Sequence, residues 1–72
     1  MSYDYSKLNG RIVEKCGTKA AFARKIGLSE RSVSLKLHNK VPWKQTEIQK
    51  SAEVLEFPIS DIQSYFFTIK VQ

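Results

Sequence analysis

Seventy-two residues with a formal charge of +5 and a single cysteine specify one small domain. Such a domain buries only about 60% of its unfolded surface, a thin margin for catalytic machinery. Cys16 has no partner for an intrachain disulfide, no Cys/His set offers a metal site, no apolar run approaches the ~20 residues of a membrane span, and MSYDYSKLNG lacks the apolar stretch of a secretion signal, so a soluble cytoplasmic protein is expected.

The spacing of Leu8, Ile12 and Val13 predicts a helix over residues 6–16, with Lys7, Arg11 and Lys15 aligned on another face. Asn9-Gly10 opposes it, since a glycine inside a helix costs about 1 kcal/mol relative to alanine, but Leu8 and Ile12 bracket the glycine on one stripe. Gly17 ends this helix, and Thr18 caps a second that runs to Ile26, with Phe22 and Ile26 four residues apart. Gly27 supplies the positive φ of a tight turn, and Ser29 caps a third helix reaching about Asn39. Phe22, Ala23, Ile26, Leu28, Val33 and Leu37 supply the buried contacts that lock these two helices at a steep angle. Two short amphipathic helices hinged on a glycine, over residues 18–38, are the pattern of a helix-turn-helix.

Val41-Pro42-Trp43 breaks the pattern before a fourth helix, about Gln45 to Glu56, which buries Ile48, Ala52 and Leu55. Phe57-Pro58 stops it. Ser60 caps a last short helix containing Ile62, Tyr65 and Phe66, and Phe67-Thr68-Ile69-Lys70-Val71 then alternates apolar and polar like a short strand. The expected fold is all-α, one compact five-helix domain over residues 1–72 with an apolar tail at 66–72.

Charge divides the chain. Residues 1–44 hold ten bases against three acids, a net +7, whereas residues 45–72 hold two bases against four acids, a net −2. A basic half that carries the helix-turn-helix is the electrostatic footprint of a phosphate-binding face. On the third helix Val33 and Leu37 face the core, which turns Arg31, Ser34, Leu35 and His38 toward a major groove. Arg31 suits guanine O6 and N7, Ser34 donates or accepts, and Leu35 suits a thymine methyl. His38 reads equally as a groove contact or a surface histidine.

Glu30 suits the positive end of its own helix dipole better than a cytosine amine, and Ser29 sits beside it as the cap. Lys19, with the backbone N–H of Thr18, stands at a helix start where a phosphate is attracted. Asn39 and Lys40 follow the third helix as further phosphate contacts, with Lys36, Arg24 and Lys25 as weaker candidates. The aromatics, Trp43 included, read as core or interface rather than base-stacking residues, because a small domain needs large apolar side chains to fill it. The apolar excess of FPISDIQSYFFTIKV exceeds what a five-helix core absorbs, and an apolar patch that pairs with another chain is expected.

The segment FARKIGLSERSVSLKL resembles the helix-turn-helix of the phage repressor and Cro class, with Ala23 four residues before Gly27 and an apolar residue and then Ser29 after it. PWKQTEIQKSAEVLEFPISDI resembles the fourth and fifth helices of that class, and the whole chain resembles small temperate-phage proteins of the Cro-like or modulator-of-repression type. The resemblance implies a lambda-repressor-like domain acting in the bacterial host cytoplasm. Lys19 and Ala20 stand where the class often has phosphate-clamping glutamines, and Lys36 stands at a frequently apolar position, so backbone anchoring is weaker than in the class.

Two functions follow from these readings. The first is a sequence-specific transcriptional regulator of the lysis/lysogeny switch that binds double-stranded operator DNA as a homodimer. The alternative is an antirepressor or modulator that binds a partner phage repressor, favoured by the weak anchoring and the apolar tail. Neither needs a cofactor or a small-molecule ligand. One histidine, one cysteine and scattered acids assemble no nucleophile, base and orienting group, so no enzyme is expected.

Overall fold

The computed structural model describes residues 2–71. Five α-helices follow one another: α1 (Ser6–Cys16), α2 (Lys19–Ile26), α3 (Glu30–Leu37), α4 (Gln45–Val54) and α5 (Ile62–Phe66), the last preceded by a 3₁₀ turn at Ile59–Asp61. Leu8 and Ile12 of α1 are fully buried, but Val13 is 63% exposed. The apolar stripe of α1 is therefore narrower than its sequence spacing suggests.

Local chemistry sets the helix ends. Gly17 adopts φ +83° and donates its N–H to Val13 O at 3.0 Å, closing α1. Thr18 Oγ1 accepts from Ala21 N–H at 3.1 Å and Ser29 Oγ from Ser32 N–H at 3.1 Å, so both expected caps satisfy amides that a helix start leaves free. Between these helices Gly27 adopts the left-handed conformation, φ +79°, and Leu28 N–H reaches Ala23 O at 2.9 Å. A side chain at Gly27 would meet no neighbour, so its requirement is backbone conformation and not space.

The core gathers Leu8, Ile12, Phe22, Val33, Leu55 and Phe66, each essentially inaccessible to solvent. Phe57 stacks on Tyr65 with ring centroids 4.1 Å apart, and both are buried. Arg11 ties α1 to the end of α4: its Nε donates to Leu55 O at 2.8 Å and its Nη2 to Glu56 O at 3.0 Å. Glu56 itself has φ +57°. Arg11 is thus a helix cap, which the row of bases on α1 does not reveal.

Three expected boundaries move. α3 ends at Leu37, because Asn39 turns to φ +62° and Lys40 N–H bonds back to Leu35 O. α4 ends at Val54 rather than Glu56, and Ser60 caps nothing, lying inside the 3₁₀ turn that leads into α5. Among the described residues the tail forms one antiparallel bridge, Tyr3 to Ile69, flanked by Asp4 N–H to Thr68 O at 2.8 Å and Lys70 N–H to Ser2 O at 3.0 Å. Among the described residues no helix is long and apolar enough to cross a membrane.

Candidate functional site

Two faces of different chemistry flank the core. On the α2–α3 face, Thr18 and Ser29 spend their hydroxyls on helix caps. Glu30 and Arg31 project from the first turn of α3, and Arg31 makes no hydrogen bond or ion pair among the described residues. Lys19, Ser34 and Leu35 are half-buried, while His38 and Lys40 are exposed. His38 curls back so that Nδ1 lies 2.7 Å from Ser34 O, which requires the proton on that nitrogen.

Asn39 is committed elsewhere. Its Oδ1 accepts from Tyr3 N–H at 2.9 Å and its Nδ2 donates to Tyr3 O at 3.0 Å, so the side-chain amide imitates a neighbouring strand and holds the N-terminal segment. Lys36 leaves the basic face altogether and is only 4% exposed. The exposed basic side chains that remain here are Arg24 and Lys25 in the last turn of α2, Arg31 in the first turn of α3 and Lys40 just past the end of α3.

The second face is apolar and centres on Trp43. One groove of about 320 Å³ runs past Tyr3, Tyr5, Val41 and Phe66. Another of about 530 Å³ runs past Gln45, Gln49, Ile59 and Ile62. Trp43, Ile48 and Phe67 line both grooves, so the two form one continuous surface. Ile59 is 73% exposed and Phe67 45%, large apolar areas for so small a domain.

Edge-to-face contacts build that surface. Trp43 lies 5.2 Å from Phe66 and 6.4 Å from Tyr5 between ring centroids, and Tyr3 lies 5.9 Å from Phe67. Burial pushes the Tyr5 phenol above its ordinary value, the charge of Tyr3 adds to this, and the Trp43 indole opposes it. The indole N–H is itself buried and has no acceptor at hydrogen-bonding geometry.

Beneath Trp43 lies an ion pair that joins α3 to α4. Lys36 Nζ sits 2.9 Å from Glu47 Oε1, donates to Pro42 O at 3.0 Å, and stands 5.9 Å from the centre of the Trp43 ring. Lys44 N–H donates to the same Glu47 Oε1 at 2.9 Å. This is half of a capping box, since a lysine at the cap position has no acceptor to complete it. Desolvation raises the Glu47 carboxyl, but the Lys44 amide and the Lys36 ammonium outweigh it and hold the group below its ordinary value. The one sequence signal of this pair is Lys36 itself, a base beside Val33 and Leu37 on the core stripe.

The model of the family described as "Protein of unknown function (DUF739)" matches residues 1–69. The chain is similar in three dimensions to the solution structure of the modulator of repression (MOR) of the temperate bacteriophage TP901-1 from Lactococcus lactis. The two share 60% sequence identity over 100% of this chain and 97% of that one, with a TM-score of 0.81. No curated protein matches.

Proposed function

The chain belongs to the family described as protein of unknown function (DUF739), and from that premise we propose that it is a phage modulator of repression that acts by binding a phage repressor. The observation that carries this reading is the 60% identity to a modulator of repression over the full chain. The Trp43–Phe67 surface supplies the physical means. Aromatic side chains in apolar grooves provide the anchor pockets that dominate protein–protein affinity, and Ile59 and Phe67 are already exposed to a partner. Titrating this chain calorimetrically into the repressor of phage TP901-1 tests the proposal. Saturable binding is expected, and no detectable binding at tens of micromolar, the order of a weak specific complex, overturns it.

One observation favours a second ligand. Arg31 is exposed and unpaired among the described residues on a half of the chain that carries net +7, a disposition suited to duplex DNA. In this reading Arg31 contacts a base edge, while Lys19 and Lys40 contact phosphates. The reduced set of free bases, with Lys36 buried and Asn39 engaged, favours DNA as an auxiliary ligand and the repressor as the main one.

A further inference from the structure

We propose that the buried Lys36–Glu47 pair is a positioning device that fixes Trp43 between the two grooves and so keeps the docking surface preformed. The identity of the docked protein rests on the repressor-binding reading above, whereas the positioning of Trp43 does not. The pair grips both peptide groups that flank the indole. Lys36 Nζ holds the carbonyl of Pro42, immediately before Trp43, and Glu47 Oε1 holds the amide of Lys44, immediately after it. The ammonium also lies over the ring face at 5.9 Å.

The buried Trp43 N–H has no acceptor at full hydrogen-bonding geometry among the described residues, and its one polar influence is on the neighbouring Tyr5 phenol. Its rings pack on the edge of the core, edge to face with Phe66 and Tyr5, contacts that fix no hydrogen-bonded orientation. The backbone grip therefore decides where the indole stands. Residues 38–44, which carry it, contain no regular helix or strand to do this instead.

Stability alone does not account for the pair. A lysine and a glutamate that are 4% and 8% exposed have lost most of their hydration, and apolar residues of similar volume commonly replace such pairs without loss of stability. What apolar residues cannot do is bond the Pro42 carbonyl and the Lys44 amide at once. Without those bonds the indole samples several positions, and a partner must restore one of them on binding, at a cost in affinity.

Trp43 is the only tryptophan, so its fluorescence and near-ultraviolet circular dichroism report on this site alone among indoles. The test compares the full chain with Lys36→Met/Glu47→Leu, which removes both charges, and with Glu47→Gln, which keeps an oxygen for the Lys44 amide. In the double variant, helical content is retained while the Trp43 dichroic bands weaken, its emission shifts to the red and acrylamide quenches it more readily. Binding to the TP901-1 repressor weakens about tenfold. Glu47→Gln falls between the two in every signal.

A double variant that is folded and keeps wild-type Trp43 bands, emission and quenching overturns the proposal. If the double variant does not fold, Glu47→Gln decides: unchanged Trp43 signals in that variant overturn the proposal, and a partial shift supports it. Failure of the wild-type chain to bind the repressor refutes the functional reading alone, since the Trp43 signals need no partner.

Discussion

Replacing Arg11 with methionine keeps most of the apolar stem on the surface of α1 and removes only the guanidinium. Three contacts disappear: the bonds to Leu55 O at 2.8 Å and Glu56 O at 3.0 Å, and the ion pair with Glu14 at 3.0 Å. The Glu14 side chain is 63% exposed, so that pair contributes about 0–1 kcal/mol. The two bonds to the end of α4 matter more, because they are charge-assisted and satisfy carbonyls that a helix end leaves free. Bonds to charged groups contribute about 1.5–3 kcal/mol each when buried, and the half-exposed setting of Arg11 brings the two together to about 2–3 kcal/mol.

For a domain of this size each kcal/mol moves Tm by about 4–8 °C, which gives a fall of roughly 10–20 °C for Arg11→Met. Arg11→Lys is expected to recover less than half of that fall, since an ammonium cannot reproduce the planar fork that spans two consecutive carbonyls. Thermal melts followed by circular dichroism read both values. A fall of less than about 3 °C in Arg11→Met, under 1 kcal/mol by the same conversion, would refute the assignment of Arg11 as the cap of α4.

Phe22→Ala leaves a cavity in the centre of the core, where Phe22 is fully buried, and is expected to cost about 3–5 kcal/mol, enough to unfold most of a marginally stable domain in a denaturant titration. Arg31→Ala is expected to lower affinity for a preferred duplex by about 1–3 kcal/mol with no change in Tm, read by fluorescence anisotropy; equal weakening on every duplex would make Arg31 a phosphate contact. Acid should release Trp43: desolvation raises Glu47 but its bonds to Lys44 and Lys36 and their charges depress it overall, so its contribution to stability is complete above the ordinary value of 4.5 and is lost as pH falls through the lower folded value. Trp43 emission that changes only above pH 4.5 would contradict that sign.

The parts of the fold that depend on neighbours in sequence are legible in the sequence alone. The bounds of α1, the caps at Thr18 and Ser29 and the left-handed turn at Gly27 follow from short-range rules, because each is satisfied within four residues. Residues whose roles depend on distant partners were not legible. Arg11 sits in a row with Lys7 and Lys15, yet its partners lie 44 and 45 residues away. Asn39 is a good phosphate ligand by type, but Tyr3 takes both ends of its amide across 36 residues.

Lys36 is the most instructive case. Helical spacing places it next to Val33 and Leu37, and only a carboxylate arriving from α4 makes a buried ammonium tolerable there. The tail was half legible. Its alternation is real, but among the described residues it makes one bridge, to Tyr3, and Ile69 and Val71 remain 49% and 90% exposed. An apolar surplus in the last third of the chain pointed to a partner, whereas the joining of two grooves at Trp43 required the fold.

The most direct test of the account is calorimetric titration of the TP901-1 repressor with this chain and with Ile59→Asp/Phe67→Asp. Ile59 is 73% exposed and Phe67 45%, so helical content should be retained, with a modest fall in Tm from the lost Tyr3–Phe67 contact. Saturable binding by the wild-type chain is expected, with a loss of at least about tenfold in the double variant, because anchors of an apolar interface are replaced by charges. Arg31→Ala should bind the repressor as the wild type does. Binding by the double variant at wild-type affinity, or repressor binding that collapses with Arg31→Ala while surviving Ile59→Asp/Phe67→Asp, would contradict the Trp43–Phe67 face as the docking surface.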